Sequence, residues 1–294
     1  MNAKAKDAPA AQGSALPTTV GDFPGTGTAV APIAPSKTDV TTQLTPADLF
    51  ESDSGKGLEN VKREDSAIPF LTVLQALSPQ VQEGAPTQVK DARAGMFFET
   101  VRAELFSSDK GVLVIPVHFE KKYIEWKPRS AGGGFVAVHN TREEAEAKRK
   151  DPSNDIVDTA EHFVFYQAAD GQWYPAVLSC KSTQLGFSRK WISLMQSLQL
   201  TGKSGVPFIP PTFAAVYRVT TQRQQNDKGS WFGMKVDRAQ LVDDFAVYAR
   251  AKAFQSMLKG GTVKVDYNAD PMVHDAAGGP TPQGEDDPAG GPTF

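Results

Sequence analysis

Lysine, arginine and aromatic side chains crowd positions 121–129 of the chain. The residues at 112–115, just before this stretch, are all aliphatic, a composition typical of a buried strand. Cations neutralise phosphates and flat rings accept stacked bases, so a strand that carries both is suited to unpaired nucleic acid. The six side chains that we predict to act in this way are Lys121, Lys122, Tyr123, Trp126, Lys127 and Arg129.

Alternation along a strand divides these side chains between two faces. Lys121 and Tyr123 are predicted to share one face, and Lys122, Ile124 and Trp126 the other. A purely structural interpretation stays open for this stretch. Lysine and tyrosine are ordinary on the solvated face of an antiparallel sheet, and the tryptophan can belong to the core.

The same combination of charge and rings recurs in three later segments. We expect Tyr217 and Trp231 to form a platform on which bases stack, with Arg218 and Lys235 contacting phosphates. The alternative is that Tyr217 and Phe232 fill the interior of the fold. With these segments the predicted nucleic-acid-binding set gains Lys181, Arg189, Lys190, Tyr217, Arg218, Arg223, Trp231 and Lys235.

Charge is distributed unevenly along the 294 residues, whose net charge is -3. Residues 266–294 contain six acidic residues and no lysine or arginine, and residues 1–60 carry a net charge of -3. These ends leave a charge of +6 on residues 61–265. A mildly basic body can attract a polyanion, and an acidic tail can compete for the same surface.

Several classes of protein do not fit the sequence. Cys180 is the only cysteine, so we expect a buried thiol and no disulfide framework. Neither a signal sequence nor a long apolar run is present, which predicts a cytoplasmic protein with no membrane partner. The Gly-Lys-Ser at 202–204 lacks the glycine that a phosphate-binding loop needs at position 197. The four histidines show no metal-ligand spacing, so we expect no catalytic residues, metal or cofactor.

The order of elements predicts a mainly β fold with inserted helices (β+α). About six or seven short strands form hairpins around two or three helices, which fits an antiparallel barrel of the oligonucleotide-binding type. One helix should carry an apolar stripe that includes Trp191, and another should span about 238–258 with Asp237 as its cap. We predict a disordered low-complexity arm at 1–57, a folded domain at 58–267 and a disordered acidic tail at 268–294.

The tail carries a resemblance to a known family. The run Gly-Glu-Asp-Asp-Pro at 284–288 precedes a terminal Phe294. This layout resembles bacterial and phage single-stranded DNA-binding proteins, in which a basic barrel precedes an acidic tail with a phenylalanine at or near its end. The segment 57–79 is similar to the opening of phage proteins often placed in that group. In the family the acids usually abut the phenylalanine, whereas here residues 289–293 intervene. The resemblance implies that Glu285, Asp286, Asp287 and Phe294 bind partner proteins.

Three hypotheses follow. The first is a non-catalytic protein of phage replication or recombination that coats single-stranded DNA and recruits a polymerase, helicase or primase through its tail. It would act in the bacterial host cytoplasm, with homo-oligomer formation left open. The second is a virion or assembly component that binds proteins and no nucleic acid. The third is an annealing accessory of recombination.

Overall fold

The computed structural model describes residues 45, 50–54, 56–61, 68–227, 229–261, 263 and 265–269. The chain divides into two units, Met1–Gly57 and Leu58–Phe294, and the architecture below belongs to the second. Most of the predicted arm and tail lies outside the described residues, as do Glu285, Asp286, Asp287 and Phe294.

A six-stranded antiparallel sheet forms the centre of the second unit. Its strands are β4 (Val112–Trp126), β5 (Phe135–His139), β6 (Asp155–Gln167), β7 (Trp173–Lys181), β10 (Ala215–Asn226) and β11 (Gly229–Leu241). Their order is β11-β10-β4-β6-β7, and β5 pairs with the end of β4. The predicted mainly β fold with a few inserted helices is thereby confirmed.

Two smaller sheets complete the strands. One consists of β1 (Leu71–Val73), β2 (Phe97–Glu99) and β3 (Glu104–Phe106), and the other of β8 (Leu200–Thr201) and β9 (Pro207–Phe208).

The segment 69–75 links the two edges of the large sheet. At one edge the Val177 amide donates to the Pro69 carbonyl over 2.8 Å. At the other, the Gln75 amide side chain accepts from the Phe232 N–H at 2.9 Å and donates to its carbonyl at 3.0 Å. In the described part of the chain β7 and β11 do not pair directly. Direct pairing between strands therefore does not show a closed barrel, and segment 69–75 lies between the two edges of the sheet.

Three α-helices accompany the strands in the described residues of the second unit. They are α1 (Arg142–Lys148), α2 (Leu185–Gln196) and α3 (Phe245–Lys259). The prediction that Asp237 caps the last helix is wrong, because residues 237–241 continue β11 and pair with β10. Asp244 is the cap, and its carboxylate accepts from the Ala246 and Val247 amides.

Each face of the large sheet is covered by a different helix. Trp191 and Met195 of α2 pack in a core with the first residues of β4, whereas Val247 and Phe254 of α3 pack in a second core. Trp191 is fully buried, as its place on the apolar stripe predicts. Cys180 is also buried, and burial raises the pKa of its thiol well above its ordinary value.

A buried histidine anchors α2 to the sheet. The ring of His162 stacks on Trp191 with centroids 4.6 Å apart, and its Nε2 lies 2.8 Å from the Ser188 hydroxyl. Burial lowers the pKa of His162 to about 3. The neutral ring therefore packs as part of the core.

Replacing Trp191 tests this anchor. Trp191→Ala should destabilise the protein by about 3–5 kcal/mol. The substitution removes the contacts of the indole ring with His162, Phe187 and Tyr217 and leaves a cavity in the core. Trp191→Phe should cost much less, since an aromatic ring remains and the indole N–H makes no hydrogen bond to the described residues. Urea denaturation measures both values. Equal losses in the two variants would contradict this packing.

Candidate nucleic-acid interface

Lys121 and Tyr123 share one face of β4, as alternation predicts. The Lys121 Nζ lies 5.1 Å from the centroid of the Tyr123 ring and 3.4 Å from an Asp158 carboxylate oxygen. The Tyr123 hydroxyl, followed by the charge of Asp158, raises the pKa of Lys121. The lysine is therefore held as a cation beside an aromatic ring, and its side chain remains about half exposed.

The opposite face carries a row of polar residues across three strands. Thr159 of β6 pairs with Lys122 of β4 on one side and with Lys181 of β7 on the other. Lys122 is held by Glu120 at 2.9 Å and by Asn140 at 3.0 Å. The fold thus brings together two cations that are 59 positions apart in the sequence.

Aromatic rings extend this row along β4. The Lys181 Nζ lies 4.9 Å from the centroid of Trp126, and the Trp126 ring meets Phe135 edge-on at 5.9 Å. The ring of Phe135 also stacks on Tyr267, with ring centroids 5.2 Å apart and an interplanar angle of 19°. Sequence reasoning missed Phe135 and Tyr267. The available signal for Phe135 was its position directly after the three glycines of a turn, opposite Trp126.

Lys127 is exposed beyond this cluster, and Arg129 begins a 3-10 turn that ends at Ala131. We define the row and its rings as the β4–β7 cluster, comprising Lys122, Trp126, Phe135, Thr159, Lys181 and Tyr267.

A buried carboxylate lies beside the β4–β7 cluster. Glu161 has no exposed surface, and burial raises its pKa to about 7. The charge of Glu120 acts in the same direction, while Tyr267, Lys122 and Lys181 oppose it. The ionisation of Glu161 near neutral pH is therefore coupled to the same cations that we predict to contact phosphate.

The predicted platform of Tyr217 and Trp231 is wrong. Tyr217 is 1% exposed and its ring meets Trp191 edge-on in the core, so it cannot stack on a base in this structure. Trp231 pairs instead with Gln224 across the β10–β11 hairpin. The residue is partly exposed, although its indole Nε1 is buried. The alternative that Tyr217 fills the interior is the one that the structure supports.

The cations of the hairpin have separate surroundings. The Arg218 guanidinium donates to the Lys110 carbonyl at 2.8 Å, and Arg223 donates to the Ser230 hydroxyl at 3.2 Å. Lys235 is exposed and forms an ion pair with Asp237 at 3.1 Å. Each cation is accessible, but these contacts do not join them to the β4–β7 cluster.

Helix α2 brings a further pair of predicted residues to the hairpin. Arg189 and Lys190 are both exposed on its first turns. Lys190 and Lys235 line the same cavity between α2 and the hairpin. The predicted cations are thus dispersed. Lys122 and Lys181 belong to the β4–β7 cluster, Lys121 lies on the other face of β4, and Lys127 and Arg129 follow the end of that strand. The other five lie on α2 and the hairpin.

The described residues contain no group of three or more histidine, cysteine, aspartate or glutamate side chains placed to hold a metal ion. Among the same residues, no helix has the length and apolar character needed to cross a membrane.

The ionisation of Glu161 makes a prediction for stability. Between pH 4.5 and 7 the native carboxyl keeps a proton that the unfolded chain has lost, so its stabilising contribution declines as the pH rises through this window. Glu161→Gln should therefore be more stable than the wild type at pH 8, by about 3 kcal/mol, and the difference should shrink toward pH 5.

Denaturation at a series of pH values measures this difference. Glu143→Gln, at an exposed position on α1, is the matched control and should show no comparable pH-dependent gain. A constant difference between Glu161→Gln and the wild type across the series would contradict the assignment.

Comparison with models of protein families gives a match. The model of the family described as Pam3 phage gp34-like protein matches residues 39–264. Neither curated proteins nor solved structures give a match. Because the matched region covers well over half of the chain, the protein belongs to the Pam3 phage gp34-like family and is a phage protein.

Proposed function

We propose that this phage protein is a non-catalytic single-stranded DNA-binding protein of replication or recombination. The observation that carries the proposal is the β4–β7 cluster, where Lys122 and Lys181 flank one strand and Lys181 lies over the Trp126 ring. Tyr267 is 8% exposed and Trp126 is partly buried against the second core. In this proposal the cations therefore contact phosphates, and the exposed part of the Trp126 ring stacks on a base.

The order of strands supports the proposal. In an oligonucleotide-binding barrel five strands form a Greek key, and the loops after the first and fourth strands flank the binding face of the second and third. We assign β4, β6, β7, β10 and β11, in this order, to the five strands of the barrel. Segment 69–75 lies between the fifth strand, β11, and the third, β7. In this assignment Lys127 and Arg129 belong to the first flanking loop, whereas Arg223 lies on β10, three residues before that strand ends at Asn226.

Part of the face used in such barrels is covered in this chain. Phe254 of α3 stacks on Phe165 of β6 at 5.5 Å, and Arg250 lies over the same ring. Trp126 and Lys181 are the last residues of β4 and β7, at the end of this face away from Phe165. We therefore place the DNA at that end, with the hairpin as a second contact region.

The acidic tail has two roles in this proposal. Its charge of -6 competes with DNA for the cations, and the ring of Phe294, together with the acidic residues 285–287, binds a polymerase, helicase or primase. Deleting residues 285–294 should therefore tighten DNA binding.

Binding to oligo-dT at several salt concentrations tests the function. Affinity should fall as salt rises, with a slope in the logarithmic plot of about -0.7 for each phosphate neutralised. The double variant Lys122→Gln, Lys181→Gln should reduce the slope by up to about 1.4. Lys259→Gln, exposed at the end of α3, is the control and should leave it unchanged. Absence of binding at low salt, with and without the tail, would refute the proposal.

Ring substitutions in the hairpin make a separate prediction. Trp231→Leu should weaken oligo-dT binding by about 1–3 kcal/mol, the usual contribution of one stacked base. Tyr217→Phe should have no effect on affinity, because the Tyr217 ring is buried. Anisotropy of a labelled oligonucleotide gives both affinities. Unchanged affinity in Trp231→Leu would show that this ring does not stack on a base.

An exposed apolar tip favours a second candidate, a virion or assembly component. Val206, Phe208 and Ile209 on and beside β9 are 61%, 46% and 62% exposed, although each side chain is apolar. Apolar residues exposed together are typical of protein interaction sites. Assembly in the absence of DNA, abolished by Phe208→Ser and accompanied by indifference to oligo-dT, would favour this candidate. A protein that speeds the pairing of complementary strands would instead be the annealing accessory.

A further inference from the structure

A cavity of about 270 Å³ lies between the start of α2 and the β10–β11 hairpin. Its volume is slightly below the range of roughly 300–1,000 Å³ that is usual for small-molecule sites, so it suits one nucleotide-sized group. No lining residue is acidic, and the lining includes Gln184, Phe187, Lys190, Gln222, Gln224 and Lys235.

The cavity depends on a glycine in the middle of β11. A Cβ atom at Gly233 would lie 2.6 Å from the Gln224 side chain, so the amide rests directly against the β11 backbone. Gln222 pairs with Gly233 across the hairpin, which places a second amide beside the same position. On the α2 side, a Cβ atom at Gly186 would meet nothing within 4 Å. The space is therefore open from the helix and lined by amides on the hairpin.

The lining groups match the parts of a nucleotide. A glutamine carboxamide both donates and accepts, and this pattern complements the N6 and N7 edge of adenine. Lys190 and Lys235 supply charges for a phosphate, and the ion pair of Lys235 with Asp237 leaves its side chain about half exposed. Phe187 and Met234 add apolar surface for the base.

We propose that this cavity binds one nucleotide of the bound strand and favours adenine. The inference rests on the proposed function and adds a base preference to a surface that otherwise tolerates any sequence. The β4–β7 cluster holds the strand through phosphates and rings, while the glutamines of the cavity read one base edge.

Three oligonucleotides of equal length test the preference. The first is all thymidine, and the second and third carry adenine or cytosine at every third position, so that one such base can reach the cavity in most registers. The wild type should bind the adenine-containing strand about tenfold more tightly than the other two. Anisotropy at one fixed salt concentration gives the three affinities.

Filling the cavity supplies the decisive variant. Gly186→Leu places a side chain into open space on a helix, so the fold should be retained and circular dichroism and thermal melting verify it. The adenine preference should disappear while affinity for the all-thymidine strand remains. Gly186→Ala, which adds one methyl group, is the matched control and should keep most of the preference. Gln224→Leu should also abolish it.

The outcomes separate this inference from the proposed function. Loss of the preference in Gly186→Leu, with thymidine binding intact, supports the inference. Equal affinity of the wild type for all three strands would overturn the inference, and so would an adenine preference that survives in Gly186→Leu. Either result leaves the proposed function standing. Failure to bind any of the strands at low salt overturns both.

Discussion

The pairing of β4 with its neighbours is the interaction on which the rest of this fold depends. β6 pairs with nearly the whole length of β4, β10 pairs with the first residues of β4, and β5 pairs with the last residues of β4. Pro116 has no N–H to donate, and the register shifts between Pro116 and His118. Before the bulge Val114 faces the α2 core, whereas after it Ile124 faces the α3 core. The bulge therefore decides which face receives each cation of the strand end.

The bulge exchanges the faces of the even-numbered and odd-numbered residues of β4, and this exchange explains the composition of the β4–β7 cluster. Because of the shift, Lys122 and Trp126 lie on the same face as Lys181, and a continuous row forms across three strands. Glu161 lies on this face as well, and burial raises its pKa to about 7. The face thus combines fixed cations with a carboxyl whose charge changes near neutral pH.

The described structure separates rings that pack from rings that can bind. Alternation along β11 assigns Trp231 and Lys235 to one face, and their neighbours Met234 and Val236 to the core. Alternation along β10 does not by itself say which set is buried. Tyr217 goes inward because Trp191 of α2 packs over that face, and this contact joins residues from distant parts of the sequence. The prediction of an exposed Tyr217 was therefore wrong because it did not account for the packing of α2, although the strand itself was assigned correctly.

The sequence by itself determined the mainly β composition, the hairpins, the apolar stripe with Trp191 and the alternation that pairs Lys121 with Tyr123. These features depend on side-chain spacing along one element, which local patterns carry. Only the tertiary structure decided that β11 runs on to Leu241, that Lys181 lies over Trp126, and that segment 69–75 separates the edges of the sheet. The physical reason is that these outcomes depend on contacts between distant segments, whose register and burial no single stretch of sequence specifies.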